Sequence, residues 1–324
     1  MLRAIVVLSS LLVSAWAGPV AAENGKLSGY MFGDYYYVAA AGDSDEEGRN
    51  AIQFRRIYLT YDQQVDDGLS ARFRLEANDA GFGKGAKMVP FVKHAYLKWS
   101  KYLSGADLYV GLSGTPTWAL AEGVWGYRSI EKTVLDRNKI GSSADLGFAL
   151  KGKAGAFNYF TMIGNGPGQK SEDDNGKKIY ASLSWAATES LVLEGYADYN
   201  VRSEDRSERT VKFFAGLRGD GFNGGAEVFS RTNAAGGGAD ETISGVSLFG
   251  SQPLVDQLKG FARVDAVRND GENSTDEDST VMLVIVGLDH SPRNNMHWMP
   301  NLYVEKPDGG DPDVQGRLTF FFKF

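Results

Sequence analysis

Charged and apolar side chains alternate along segment 69–78 of the 324-residue chain. Arg72 and Arg74 fall on one face of this segment, and Phe73 and Leu75 fall on the other. A period of two is typical of a β-strand with one wet face and one apolar face. Neighbouring segments alternate in the same way and place further basic side chains on their polar faces. Together these side chains form the basic set, whose members are candidates for ion selectivity: Arg56, Arg72, Arg74, His94 and Lys98. Such a set can filter ions in a narrow space, because little water screens fixed charges there.

A second group of charges lies in segment 115–143, which lacks strand alternation. Its charged candidates are Glu122, Arg128, Glu131 and Asp136. The segment also contains Trp118, Trp125 and Tyr127, so it is too apolar for a disordered loop. We expect a short helix over 129–137.

We predict that segment 115–143 folds inward and sets its acids against the basic set. Opposed charges across a narrow pore create a transverse field that orients dipolar solutes. Two alternatives stay open at this point. In the first, the segment packs over the rim of the fold or against a neighbouring subunit. In the second, the basic side chains form ion pairs that only stabilise the strands.

The composition argues against several other chemistries. The chain has no cysteine, which excludes thiol catalysis, zinc–thiolate sites and covalent haem attachment. Its three histidines, His94, His290 and His297, are too scattered to indicate a metal site or a catalytic set. A formal net charge of -7 disfavours nucleic acid as a partner. We therefore expect no enzymatic activity and no cofactor.

Alternating segments recur about sixteen times along the chain, at roughly ten residues each. The predicted strands cover residues 27–39, 51–65, 69–79, 90–100, 106–115, 144–153, 156–164, 178–187, 190–202, 210–219, 222–231, 241–250, 257–268, 279–289, 300–306 and 313–324. Short connections alternate with longer polar ones, which is typical of membrane barrels. We predict an all-β transmembrane antiparallel barrel in which segment 115–143 is the third and longest external loop.

Three segments fit this pattern less well. The connections at 251–256 and 290–299 are longer than the short turns expected on their side of the barrel. Residues 281–286 are apolar on both faces, which suggests that the inner face packs on another part of the protein.

The first residues have the features of an export signal. Arg3 precedes a mostly apolar run over 4–16, and small residues stand at 20–22. The run is shorter than the roughly 20 apolar residues that a membrane-spanning helix needs. We predict cleavage after Ala22, which leaves a single barrel domain over 23–324.

The last segment of the chain ends on an aromatic residue. One face carries four large apolar groups: Leu318, Phe320, Phe322 and Phe324. A terminal phenylalanine on such a strand resembles the signal that the assembly machinery of the bacterial outer membrane recognises. We therefore predict an outer-membrane location with Phe324 as a targeting residue. The alternative is an ordinary edge strand.

Three stretches, 110–116, 128–132 and 143–147, carry a family resemblance. They resemble the Gram-negative porin superfamily, most closely the branch that includes the phosphate-selective porins. The resemblance implies a homotrimer of sixteen-stranded barrels, each with its own pore narrowed by the third external loop. It implies passive diffusion of ions and small hydrophilic solutes. Phosphate selectivity is not carried over, since only part of the expected rows of arginine and lysine is present.

Partners and alternatives follow from this prediction. Outer-membrane lipid would surround the barrel, and the acid-rich external loops would either bind lipopolysaccharide through divalent cations or simply be solvated. A different function stays open, in which the barrel is the sleeve of a porin–cytochrome electron conduit. An in-folded loop argues against that function, because it would block the enclosed cytochrome.

Overall fold

The computed structural model describes residues 25–103, 105–172, 174–202, 206–234, 240–271 and 279–324. The expected signal peptide, residues 1–22, lies outside the described residues, so its cleavage stays a prediction. Within the described ranges, no helix is both long and apolar enough to cross a membrane.

The described residues form sixteen β-strands in one closed sheet. The strands are β1 (Gly25–Ala40), β2 (Asn50–Asp66), β3 (Leu69–Asn78), β4 (Val89–Leu103), β5 (Ala106–Gly114), β6 (Ala144–Ala154), β7 (Phe157–Gly164), β8 (Lys178–Ala186), β9 (Leu191–Val201), β10 (Ser207–Arg218), β11 (Asn223–Ala234), β12 (Glu241–Val255), β13 (Leu258–Gly271), β14 (Ser279–Arg293), β15 (Met296–Pro307) and β16 (Asp313–Lys323). Each strand pairs antiparallel with its neighbours in sequence, and β16 pairs with β1. The prediction of a sixteen-stranded antiparallel barrel is confirmed.

The two faces of the sheet differ as the alternation predicts. Outward side chains are large, apolar and exposed, as at Ile52 (80 %) and Phe213 (67 %). Inward side chains include buried charges such as Asp34, Glu76 and Arg263. The barrel therefore has an apolar exterior and an interior that carries buried charges, unlike a soluble β-sandwich.

Short turns join the strands at one end of the barrel, the turn end, and longer loops join them at the other, the loop end. The long connections expected at 251–256 and 290–299 are wrong. Strand β12 continues to Val255 and β13 begins at Leu258, and a similarly tight turn joins β14 to β15. A register shift interrupts the alternation of side chains near both turns. A prediction based on alternation therefore ended these strands too early.

Two β-bulges change which side chains face the interior. In β2, Arg55 is an extra residue between the paired positions Phe54 and Arg56. In β4, Lys93 is extra in the same way beside His94. A bulge places two consecutive side chains on one face. Each bulge therefore brings one additional cation into the barrel.

The long loop, residues 115–143, lies inside the barrel and contains helices α1 (Ala119–Trp125) and α2 (Val134–Arg137). Its apolar side chains pack against inward residues of strands β10 to β15. The main cluster unites Ala121, Val124, Trp125, Tyr127 and Ile130 of the loop with Phe214, Phe249, Phe261, Leu283, Ile285, Met299 and Tyr303 of the wall. A second cluster unites Trp118, Val134, Leu135 and Ile140 with Phe229 and Val267. Burial of this apolar surface holds the loop within the barrel.

The helices of the long loop differ from the prediction, whereas the packing of 281–286 agrees with it. The helix expected over 129–137 is wrong: only Val134–Arg137 is helical, and α1 lies earlier in the loop. The main chain over 129–132 is instead bound by arginines of the wall. The apolar inner face of 281–286 does pack on another part of the protein, because Leu283 and Ile285 belong to the main cluster.

The chain end closes the barrel beside the start of β1. The Phe324 amide donates to the Gly29 carbonyl at 2.9 Å, and the Gly29 amide donates to the Phe324 carbonyl at 3.1 Å. The Phe324 ring faces outward and stacks on Phe322 with centroids 6.3 Å apart. Its predicted role in targeting stays a prediction.

Candidate functional site in the barrel interior

Three cations of the wall bind main-chain carbonyls of the long loop. Arg55 donates to the carbonyls of Ser129 and Ile130 at 3.1 and 2.5 Å. Lys212 donates to the Thr117 carbonyl at 2.8 Å. Arg263 donates to the Lys132 carbonyl. These donors lie on β2, β10 and β13, so the loop is held from well-separated parts of the wall.

Lys212 also ties this attachment to a buried charge network. Its ammonium lies 2.8 Å from a Glu194 carboxylate oxygen and 3.6 Å from one of Glu227. All three side chains are almost fully buried. Buried carboxylates need such partners, since an unpaired buried charge is costly. The network therefore fixes the start of the long loop against β10.

The long loop carries its own charged cluster. Arg128 lies 3.2 Å from Glu122 and 3.3 Å from Asp136, while Lys132 lies 3.9 Å from Asp136. Glu122 and Asp136 thus pair within the loop. The sequence predicts that the loop acids face the basic strands.

A second charged cluster lies on the wall. Glu76 is fully buried and pairs with both Arg56 and Lys93, the latter at 3.0 Å. The Lys93 ammonium also lies 2.6 Å from the Ser143 hydroxyl, at the end of the long loop. The extra lysine of the β4 bulge thus links the wall cluster to the loop.

The two clusters face each other within electrostatic reach. Arg128 and Asp136 of the loop act on both Arg56 and Lys93 of the wall. Both faces carry mixed charges: four cations, Arg56, Lys93, Arg128 and Lys132, stand against three carboxylates, Glu76, Glu122 and Asp136. The interior at this level is therefore highly charged, with a small excess of cations.

The remaining wall candidates have different surroundings. Arg72 makes a bidentate contact with Asp62 at 2.6 and 2.9 Å, and Lys98 lies 2.7 Å from Asp107. Arg74 donates to the Thr60 hydroxyl at 2.7 Å. Of these three cations, Arg74 alone has no carboxylate within salt-bridge distance among the described residues.

Among the described residues, neither His94 nor Glu131 forms an ion pair with the two facing clusters. His94 points inward beside Arg74, but its Nδ1 is buried and has no hydrogen-bond partner in the part of the chain that is described. Glu131 is buried between loop and wall, 3.7 Å from Arg55. Glu131 therefore links the loop to β2, and its role in selectivity stays a prediction.

Sequence analysis missed Arg55 and Lys93 as site residues. Strict alternation assigns both to the outer face, and only the bulges turn them inward. The available signal was a pair of consecutive charges, Arg55-Arg56, within an otherwise alternating strand. Such a doublet is typical of a bulge or a strand end.

A cavity of about 680 Å³ lies on the turn-end side of the long loop. Loop residues 122–129 form its roof, and residues of β1 to β3 and β10 to β16 form its walls. Within the described ranges, no group of three or more histidine, aspartate or glutamate side chains is arranged to hold a metal ion.

The barrel with its in-folded loop has the fold of the porins, and solved structures agree with this. The anion-selective porin of Comamonas acidovorans matches with a TM-score of 0.68 at 15 % identity, over 93 % of this chain and 99 % of that one. OmpF of Salmonella typhi, in complex with daunomycin, matches at 0.69 and 9 %, over 94 % and 98 %. OmpT of Vibrio cholerae, in a trimer form, matches at 0.65 and 11 %, over 93 % and 99 %. At these identities the likeness extends to the fold alone. No family model matches the chain, and no curated protein does either.

Proposed function

We propose that the protein is a passive channel of the bacterial outer membrane. One observation carries this proposal: a closed sheet presents an apolar outer face, while its inner face and the long loop enclose a charged cavity. An apolar exterior of this extent suits lipid, and a charged interior suits water, ions and small hydrophilic solutes. The long loop sets the width of the passage, because it occupies part of the interior.

The likeness to outer-membrane proteins and porins supports this location and function. The trimer form of one matched protein supports a homotrimer. Outer-membrane lipid and lipopolysaccharide would surround it. The sleeve of an electron conduit gains no support, since the long loop fills space that a cytochrome would need. A channel needs no catalytic group, in keeping with the expectation of no enzymatic activity.

The first test is electrical. We would reconstitute the purified barrel in a planar bilayer and record current under a salt gradient. Discrete steps that occur in groups of three are expected for a trimeric channel, and the reversal potential gives its ion preference. The proposal would be overturned if the protein conducts no current although the change in its gel mobility on heating shows that it is folded.

A further inference from the structure

The cavity on the turn-end side of the long loop has an unbalanced charge. It is lined by Arg74, Arg218, Lys259 and Lys323, on four different strands. Among the described residues, none of these four cations has a carboxylate within salt-bridge distance. They are therefore free to interact with an anion that enters from the turn end.

The carboxylates of the same cavity are already engaged. Glu122 pairs with Arg128 at 3.2 Å. Asp289 lies 2.8 Å from His297 Nδ1 and accepts a hydrogen bond from the Tyr127 hydroxyl at 3.3 Å. A cationic solute would have to displace these partners, whereas an anionic solute would not.

The unpaired cations lie on two sides of the cavity. Arg74 and Lys323 flank Tyr30, because Lys323 is paired with Tyr30 across β1 and β16 and Arg74 acts electrostatically on its ring. Arg218 reaches the roof, where its Nη2 would lie 3.2 Å from a Cβ placed at Gly123. Lys259 lies on β13, three strands from Lys323 on β16. An anion between them can be held without any cation being buried in apolar surroundings.

Aromatic rings form much of the remaining surface. Tyr30 and Phe321 line one wall, with ring centroids 5.9 Å apart. Trp125 and Tyr127 lie behind the roof, where both are buried, with centroids 5.3 Å apart. Ring faces and edges favour a flat aromatic solute over an inorganic ion, because they offer apolar contact and stacking. A volume of about 680 Å³ is ample for such a molecule.

We infer that this cavity is a binding site for organic anions with an aromatic ring, which pause here during passage. The inference rests on the proposed channel function, because the cavity is part of the passage. The unpaired cations hold the carboxylate, and Tyr30 and Phe321 contact the ring. Aromatic carboxylates therefore block small-ion current that acetate does not block.

The probe is benzoate, with acetate and benzylammonium as matched solutes. Added on the turn-end side of a planar bilayer, benzoate is expected to reduce chloride current in a saturable manner. Acetate carries the charge without the ring, and benzylammonium carries the ring with the opposite charge, so neither should block at the same concentration. Equal block by benzoate and acetate would overturn the inference.

Variants separate the site from general effects of charge. Lys259→Gln and Arg74→Gln should each weaken benzoate block by about tenfold, since each removes a charged hydrogen-bond donor. Lys177→Gln is the matched control, because Lys177 is exposed on an external loop and pairs there with Glu172. Unchanged block in both site variants, or equal weakening in the control, would contradict the assignment.

Calorimetry distinguishes failure of this inference from failure of the channel proposal. Benzoate is titrated into the folded wild-type barrel in detergent, which requires no conduction. Heat of binding that is lost in Lys259→Gln supports the site even if the bilayer is silent. A conducting barrel that binds benzoate no better than acetate overturns the site and leaves the channel proposal intact.

Discussion

Arg72 and Arg74 carry the same charge on the same face of β3, but their surroundings differ. Arg72 is neutralised by the bidentate contact with Asp62. Arg74 contacts only the Thr60 hydroxyl and lies 5.7 Å from the centre of the Tyr58 ring. An uncompensated charge acts on passing ions, whereas a compensated one acts chiefly on its partner.

This difference predicts unequal effects on ion preference. Arg74→Gln should lower the permeability ratio of chloride to potassium by about sevenfold, because one charge at about 7 Å in water attracts chloride and repels potassium by about 0.6 kcal/mol each. Arg72→Gln also leaves Asp62 without its partner. We therefore expect this variant to lower the stability of the barrel as well as to change its ion preference. The reversal potential under a salt gradient measures both variants.

One result for the Arg74→Gln variant would contradict this prediction. If Arg74→Gln leaves the reversal potential at the wild-type value, Arg74 does not face the ion path. In that case the charges of β3 serve only to brace the wall.

Residue positions were predictable from the sequence only where alternation is regular. Arg72, Arg74 and Lys98 face inward as expected, because their segments keep a period of two. Arg55 and Lys93 could not be placed, since a bulge depends on the pairing of two strands and not on either one alone. Nor could alternation show that Asp62 and Asp107 neutralise two of the candidates.

At the scale of the element, the long loop and the inner wall of β10 to β15 depend on each other. Inward Phe249, Phe261 and Ile285 would contact water if the loop were elsewhere. Trp125 packs among these residues, 5.3 Å from the centre of the Phe249 ring, and donates its indole N–H to the Glu131 carbonyl at 3.1 Å. The loop is therefore part of the core and not a movable insertion.

Trp125→Ala should loosen the long loop. Truncating a fully buried aromatic side chain costs about 3–5 kcal/mol, and here the loss falls on contacts between loop and wall. We expect a barrel that still closes but shows larger open-channel current noise and a wider spread of step sizes. Single-channel recording at fixed voltage is the measurement.

The control is Trp185→Ala, which removes a tryptophan from the outer face, where it stacks on Phe157. Its current noise should equal that of the wild type. Equal noise in the two variants would show that Trp125 does not hold the loop.

The position of the long loop was predictable, but its internal structure was not. Its apolar content and its place as the third external loop indicated the interior. Helix α1 begins after Trp118 without a side-chain cap, and it is only seven residues long. So short a helix is stabilised by packing on the wall, and no local signal marks it.

At the scale of the whole molecule, the apolar outer face is the strongest constraint on location. Leu248 lies near the middle of β12 and is 59 % exposed, while Val201 ends β9 at the loop end. In a membrane, these two outward positions lie at different depths. In water they would be equivalent.

Arginine at the two positions tests this directly. Leu248→Arg should lower the free energy of unfolding by about 2–4 kcal/mol, and Val201→Arg by about 0–1 kcal/mol, because the cost of a charge grows towards the bilayer midplane. Urea unfolding in lipid vesicles, followed by tryptophan fluorescence, measures both. Equal small losses would show that lipid does not surround this face.

The antiparallel ring has one further consequence, which concerns the order of the chain. Every pairing except that between β1 and β16 joins strands that are consecutive in sequence. Phe324 lies against Gly29 at the turn end, and a short peptide there would make that last pairing consecutive too. The pairing of the strands is thus circular, and the chain is interrupted only between β16 and β1. Circular permutants that begin at a different hairpin are therefore expected to form the same barrel.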